Sequence, residues 1–266
     1  MIDRGSLATA LRQLKIDPAR PVIVHTALTA FGEVKGGAEA VLEALLGAFE
    51  TVVMPTFTYK VMLVPEAGPP ENGLKYGSQA DANRMVEFYH PDMPADRLMG
   101  ILSETLRQHP LAHRSKHPIL SFAGVNADSI LGEQSLVEPL APIRKLTERR
   151  GWVLLMGVDH STNTSIHYAE KLAGRKQFIR WALTGDGVAE CPGFPGCSDG
   201  FNEIAPLVEP ARRWEQVGNA LIQALPLTEL VETTRALIRA NPLALLCNHS
   251  YCERCQAVRD QVAKSN

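Results

Sequence analysis

The chain has 266 residues, of which 45% are hydrophobic and 21% charged, with a formal net charge of -2 at pH 7. That length and apolar content support a core without disulfide staples, and the lack of a basic surplus argues against a general nucleic-acid binder. No window reaches the roughly 18 apolar residues of a membrane helix, and the N-terminal stretch, with Arg4 but no continuous apolar run, does not read as a secretory signal; the expectation is a soluble, cytoplasmic protein with neither membrane nor nucleic-acid partner.

Residues 5–15 place Leu7, Leu11 and Leu14 on one helical face, with Ser6 as N-cap and Asp17-Pro18 as the stop. Residues 21–25 then read as a short buried strand, 38–49 as an amphipathic helix after Gly36-Gly37, and 51–54 as a second buried strand ending at Pro55. That strand–helix–strand order marks a parallel α/β layer. From about 60 to 97 the pattern fades into a stretch rich in Pro and Gly, the length and composition of a lid or binding loop. Residues 97–108 read as helix, 118–123 as strand, and 127–131 and 141–149 as helices. Trp152-Val-Leu-Leu-Met156 is a buried strand, followed by a helix over 162–173 that Thr162 or Asn163 can cap. Residues 177–184 alternate as a strand, with Thr184-Gly185-Asp186-Gly187 turning into a partner near 188–191. Helices are expected over 209–224 and 228–239. The fold class that results is α/β: a mixed, partly parallel sheet flanked by helices, with a helical C-terminal part over about 205–266 that ends in a small cysteine-rich tail. The whole chain, 1–266, reads as one domain.

Small and polar residues follow the strand at 152–156, where α/β proteins place ligands. Within that run His167 and Glu170 are three apart and share a helix face. A histidine oriented by a carboxylate makes a good general base; the plain alternative is a surface His–Glu pair of a common kind.

Four segments in order resemble the aminoglycoside 3-N-acetyltransferase family, also called the antibiotic N-acetyltransferases. They are Val24-His25-Thr26-Ala27-Leu28 through Gly36-Gly37 to Val53–Thr58; Met99–Glu104 with His113-Arg114-Ser115-Lys116-His117-Pro118 and Ser121-Phe122-Ala123; Leu154–Val158 with Asn163-Thr164-Ser165-Ile166-His167-Tyr168-Ala169-Glu170; and Phe201 to Ile204. The resemblance implies acetyl transfer from acetyl-CoA to an amino group of an aminoglycoside-type antibiotic, directly in a ternary complex. It implies His167 as the base with Glu170 beside it, and acetyl-CoA held by His25, Thr26, Ala27 and Leu28 and by Arg114, Ser115, Lys116 and His117. Basic groups suit the CoA phosphates. Donors near Thr26–Leu28 or Thr164 suit the thioester oxygen. The plain alternative for Arg114 and Lys116 is a solvated basic turn. A polycationic acceptor calls for acids, for which Asp159, Asp199, Glu203 and Asp92 are the candidates. The chain departs from the family pattern at Asp159, where glycine is more usual, and in a longer stretch over Val61–Glu87, so the acceptor amine is left open and a non-aminoglycoside amine stays in view.

Cys247, Cys252 and Cys255 form a tight cluster whose Cys-x2-Cys core has zinc-knuckle spacing. Cys197 is the preferred fourth ligand, with Cys191 and His249 as alternatives. A subset of the family carries a similar tail, which implies a structural zinc; the plain alternative is a set of free buried thiols. A zinc hydrolase using His160, His167 and acids is a second function, but no His-Glu-x-x-His motif supports it.

Overall fold

Apolar runs bounded by turns form the strands, and amphipathic stretches the helices, in a computed structural model that describes residues 1–77, 81 and 83–265. The first half contains α1 (Arg4–Gln13), β1 (Val22–Thr26), α2 (Gly37–Ala48), β2 (Val52–Pro55), β3 (Met62–Leu63), α3 (Ile101–Gln108), β4 (Ala112–Arg114), β5 (Phe122–Val125), α4 (Asp128–Leu131) and α5 (Ala141–Glu148). Then come β6 (Trp152–Met156), α6 (Ser165–Leu172), β7 (Phe178–Thr184), β8 (Gly187–Phe194), α7 (Ala205–Val208), β9 (Arg213–Val217), β10 (Ala220–Pro226), α8 (Leu227–Ala240) and α9 (Glu253–Ser265). Seven strands form one sheet in the order β4-β5-β2-β1-β6-β10-β9. Its centre, β2-β1-β6, is parallel, and the strands to either side are antiparallel.

The three parallel strands are apolar along almost their whole length because both faces are covered. Their side chains alternate between two cores. Val22, Val24, Val52, Met54, Leu154 and Met156 face Leu7, Val41, Leu45, Leu102 and Leu106 of α1, α2 and α3. Ile23, Val53, Val153 and Leu155 face Ile143, Ile166, Leu230 and Ile238 of α5, α6 and α8. A second sheet, β3-β7-β8, carries the hairpin at 184–187 and pairs Met62-Leu63 with Trp181-Ala182. It gives the long segment after residue 60 an anchor, and residues 78–80 and 82 of that segment lie outside the described residues.

Three elements differ from the sequence reading. Residues 209–224 are not a helix. They hold a 3₁₀ turn, then β9 and β10, which pair from Val217–Ala220 outward around Gly218-Asn219 and complete the main sheet. Ala220, Ile222 and Ala224 are buried while Leu221 and Gln223 are not, a period of two that helical spacing obscured. The C-terminal part is therefore helical only in α7, α8 and α9, besides 3₁₀ turns. Residues 118–121 form a turn ahead of β5, because the Nδ1 of His117 accepts the N–H groups of Ile119 and Leu120 and bends the chain. The N-cap of α1 is Asp3, whose carboxylate accepts from Ser6 N–H at 2.8 Å, and Ser6 stands inside the helix.

The topology gathers one end of the sheet. The carboxyl ends of β1, β2 and β6 fall at Thr26, Pro55 and Met156, and antiparallel β5 brings its beginning, Phe122, opposite Pro55. Gly157 makes the sharp exit from β6 at φ +70°, where an added Cβ would lie 2.5 Å from the Cβ of Ala30 and 3.2 Å from the carbonyl of Ala27. Gly157→Ala combines a left-handed penalty with a clash against backbone-anchored atoms, and is expected to cost about 2–4 kcal/mol, or roughly 5–10 °C in Tm. Thermal denaturation checks this; a wild-type Tm would show that the exit turn relaxes freely.

Candidate active site

After Gly157 the chain turns on short polar caps. The Asp159 carboxylate accepts from Ser161 N–H at 2.9 Å and opens a 3₁₀ turn, His160–Thr162. The Asn163 Oδ1 then accepts from Ser165 N–H at 3.1 Å and α6 begins at Ser165. On this helix His167 and Glu170 meet as their spacing requires, with Nδ1 of His167 2.7 Å from Oε2 of Glu170. Both are buried, Glu170 at 1% exposure. The other oxygen of Glu170 accepts from Nη1 of Arg175 at 2.7 Å. The helix closes so that this happens: Gly174, at φ +83°, donates its N–H to Lys171 O, and Arg175 donates its N–H to Glu170 O, both at 3.0 Å. This is the Schellman pattern, which folds the residue after the glycine back onto the last turn. The Nη2 of Arg175 is held by the carbonyls of Pro242 and Ala244 at 2.8 and 2.7 Å. Arg175 escaped the sequence reading, although the Gly174 stop signal predicts that its successor returns to residue 170.

When Nδ1–H donates to Glu170, the lone pair of His167 lies on Nε2. The ring meets Phe201 edge to face, with centroids 4.8 Å apart. An arrangement of this kind can take a proton at Nε2 and offset the resulting charge through a carboxylate that is itself paired.

The other sequence-selected segments converge on the same edge of the sheet. Thr26 pairs in register with Met156, and Ala27 N–H donates to Met156 O at 3.1 Å. Leu28 opens a 3₁₀ turn, and Thr56 N–H donates to Ser121 O at 2.9 Å. His25 is buried on β1, and burial pushes its pKa down to about 3. Burial likewise holds His117 down at about 4. Buried Nε2 of His25, Oγ1 of Thr26, Nε2 of His117 and Oγ of Ser165 have no hydrogen-bond partner among the described residues. Thr164 is buried at the start of α6.

Arg114 has a different role from the one expected. Its guanidinium donates to Ser121 Oγ at 3.0 Å, Pro91 O at 3.1 Å, Thr56 O at 2.6 Å, and Met93 O. Four of its five N–H donors therefore pin the 91–93 turn to β2 and β5, and burial lowers its pKa. Ser115 is also spent internally, its Oγ exchanging bonds with Phe122 at 2.8 and 3.2 Å. Lys116 is exposed.

Of the four acids, Asp159 is built into the site. Burial alone would raise its pKa, but hydrogen bonds from Ser161 and Asn202 outweigh that and bring it below the usual carboxylate value. Asn202 donates to Asp159 Oδ2 at 2.8 Å and accepts from His160 N–H at 2.9 Å, so it staples the 157–163 segment to the 198–204 segment. Asp199 and Glu203 lie exposed on that second segment. Asp92 stands apart, in the 91–93 turn, with Arg107 and Arg114 as charged neighbours.

The sulfur atoms of Cys197, Cys247, Cys252 and Cys255 all lie within 4.8 Å of one another. A tetrahedral zinc with Zn–S of about 2.3 Å separates its sulfurs by about 3.8 Å, which this set accommodates. Cys191 and His249 fall outside the group. Among the described residues no other set of three or more His, Cys, Asp and Glu groups is close enough to hold an ion. His160 is occupied by Asn163, its ring nitrogen 3.3 Å from the amide, so the histidines and acids do not assemble the open site that a zinc hydrolase needs. No helix among the described residues is long and apolar enough to cross a membrane.

Residues 23–239 match the family model for aminoglycoside 3-N-acetyltransferases. The SPbeta prophage-derived aminoglycoside N(3')-acetyltransferase-like protein YokD of Bacillus subtilis (strain 168) is 32% identical over 175 residues, which cover 63% of this chain and 64% of that protein. Aminoglycoside N(3)-acetyltransferase III of Salmonella sp is 29% identical over 233 residues, 77% of this chain and 79% of the relative. The crystal structure of aminoglycoside acetyltransferase AAC(3)-IVa, as apoenzyme, aligns with a TM-score of 0.79 at 25% identity over 97% of both chains.

The neutral histidines at the strand edge make the fold acid-sensitive. His25 and His117 take up protons in the unfolded chain near pH 6.5 but in the folded one only near 3 and 4, so stability is retained above about 6.5 and falls as pH drops through that window. Each contributes about 2 kcal/mol of loss between pH 7.5 and pH 5. His117→Asn keeps an acceptor for the Ile119 and Leu120 N–H groups and removes the titration. Its denaturation free energy is expected to fall about 2 kcal/mol less than wild type over that range; parallel curves for the two proteins would overturn the assignment.

Proposed function

The chain belongs to the aminoglycoside 3-N-acetyltransferase family, and from that premise we propose that it transfers an acetyl group from acetyl-CoA to an amino group of an aminoglycoside-type antibiotic, in one step with both substrates bound. The observation that carries this reading is the buried Arg175–Glu170–His167 chain at the carboxyl end of the sheet. His167 accepts a proton from the acceptor amine at Nε2 as the nitrogen attacks the thioester carbonyl. The carbon–sulfur bond breaks, and the proton passes from the imidazolium to the departing CoA thiolate, so amide and free thiol are the products. Glu170 holds the ring and stabilises its charged form.

Acetyl-CoA lies along the strand edge, where Thr26, His117 and Ser165 carry buried polar atoms without a hydrogen-bond partner among the described residues. The Ala27 N–H is committed to Met156 O. The thioester oxygen therefore falls to the hydroxyls of Thr26 or Thr164 and the backbone of Leu28. Lys116 takes the phosphate role that Arg114, bound to four internal acceptors, does not. Asp159, kept ionised by Ser161 and Asn202, is the built-in partner for an ammonium group of the acceptor. Asp199 and Glu203 extend that charge along the neighbouring segment.

CoA release, read with a thiol reagent over a panel of aminoglycosides and simple amines, tests the activity. With the best acceptor, His167→Ala is expected to lower kcat by about two to four orders of magnitude and to leave acetyl-CoA affinity unchanged. More than a tenth of wild-type turnover at saturation would remove His167 as the base; a panel without any CoA release would remove the activity itself.

The four thiols support a structural zinc. Cys197 joins the segment after β8, Cys247 the segment after α8, and Cys252 and Cys255 the start of α9, so one ion ties α9 to the rest of the fold. A closed set of four thiolates leaves no position for chemistry. Protein purified without added metal or chelator is expected to hold one zinc per chain. Cys255→Ser is expected to lower Tm, because metal binding free energy becomes folding free energy, while turnover per folded molecule survives. Less than a tenth of an equivalent by elemental analysis would exclude the site.

A further inference from the structure

We propose that Arg175 is the positioning residue of the site: it fixes the orientation and the charge of the Glu170 carboxylate that holds His167. The proposal rests on the reading of His167 as the base. Arg175 is delivered to Glu170 twice, by its backbone N–H at 3.0 Å from Glu170 O and by its side chain at 2.7 Å from Oε1. The side chains of this pair are 2% and 1% exposed. Both carboxylate oxygens are taken, one by the histidine and one by the arginine, so the carboxylate cannot rotate without breaking an ion pair or a hydrogen bond. The guanidinium is fixed in turn from outside α6, because its Nη2 donates to the carbonyls of Pro242 and Ala244. A planar fork addresses all three acceptors at once, which a lysine ammonium on its flexible stem does not.

Among the described residues no other charged group bonds to the pair. Arg239 of α8 donates to Leu172 O at the helix end, and Arg254 of α9 donates to Gly196 O. Arg144 and Glu148 of α5 act on Tyr168, on the same helix as His167. Lys171 is paired with Glu138. Cys197 lies one residue beyond Gly196, whose added Cβ would come 3.9 Å from Glu170 Oε2. Arg175 is therefore the cation whose loss the His167–Glu170 pair registers.

A surface cavity of about 310 Å³ opens against Arg175, bounded also by Ala173, Ile238, Pro242 and Val262. It gives a small guanidinium a route to the gap left by a truncated side chain, and so provides a test of position as well as presence. The variants are Arg175→Met, Arg175→Lys and Arg175→Ala in the full-length protein. The measurements are kcat and KM for both substrates, the pH profile of kcat, and ring-nitrogen NMR of His167. Arg175→Met is expected to lower kcat about 10- to 100-fold while both KM values stay within threefold. Its acid limb moves to higher pH, because the pair without its cation holds an extra proton more tightly wherever that proton resides. The His167 ring titration moves in the same direction, and this readout does not depend on His167 being the base. Arg175→Lys keeps the limb near its wild-type position with partial kcat, and ethylguanidine restores Arg175→Ala at least fivefold where ethylammonium does not. An acid limb and ring titration unmoved in Arg175→Met overturn the proposal. Should that variant fail to fold, Arg175→Lys decides, and a KM increase that accounts for the whole of its loss overturns it. If His167→Ala keeps its turnover while the ring titration still follows Arg175, the base assignment fails and the positioning stands.

Discussion

A carboxylate at 1% exposure is costly to leave unpaired, and the way Glu170 is paired governs the layout around it. Helix α6 stops after eight residues with a glycine, so that the next residue turns back and places a guanidinium on the carboxylate. The segment after α8 passes close enough for two of its carbonyls to accept from the Nη2 of that guanidinium. Gly196 lies near the same carboxylate, where an added Cβ would be 3.9 Å from Oε2, and the ring of Phe201 meets that of the histidine edge to face. These segments come from beyond α6 in the sequence, and they meet it around Glu170 and His167.

The sheet sets this pairing at the edge where α/β folds hold ligands. Parallel strands end together, and their exits are where backbone polar groups run out of partners. Here β1, β2 and β6 supply three exits, and β5, running the other way, adds the turn that precedes it. Apolar cores on both faces make this edge rigid, while His25, Thr26, His117 and Ser165 place unpartnered polar atoms along it. Helix α6 leaves from the same edge and presents His167 there. Rigidity at the edge and pairing behind the histidine are independent contributions, one from sheet packing and one from the C-terminal half.

Much of this was legible in the residues. The strand at 152–156, the helix after it and the three-residue spacing of His167 and Glu170 follow from periodicity and geometry, and the fourth thiol at Cys197 followed from its place beside the other site segments. What was missed has identifiable causes. The β9–β10 hairpin was hidden because its residues suit helical and strand spacing alike, and only the Gly218-Asn219 dipeptide signalled the turn. Arg114 read as a phosphate ligand because a basic residue in a turn looks the same whether its partners are solvent or carbonyls; the four acceptors come from segments 7 to 58 residues away. Arg175 was passed over because a charged residue after a helix-ending glycine usually points to solvent, and the carbonyls that bury it come from 67 and 69 residues further on.

The histidines show how burial and pairing divide the work. His25, His117 and His160 are each held neutral, chiefly by burial. A buried imidazole without a carboxylate bonded to its ring resists taking a proton, which suits it to a fixed hydrogen-bonding role and unsuits it to accepting one during a reaction. His113 has a carboxylate in Asp128, but both lie in solvent, where the pair gives little orientation. His249, beside Asp199, is also exposed. Among these, only His167 combines burial with a carboxylate that is itself held by a cation. Burial and a paired carboxylate together are the surroundings that suit a histidine to general-base work. A second histidine held in this way would need a second cation to hold its carboxylate. The other buried guanidinium, Arg180, is committed to the carbonyls of Asn72, Gly73 and Ile179 and, among the described residues, has no carboxylate to hold.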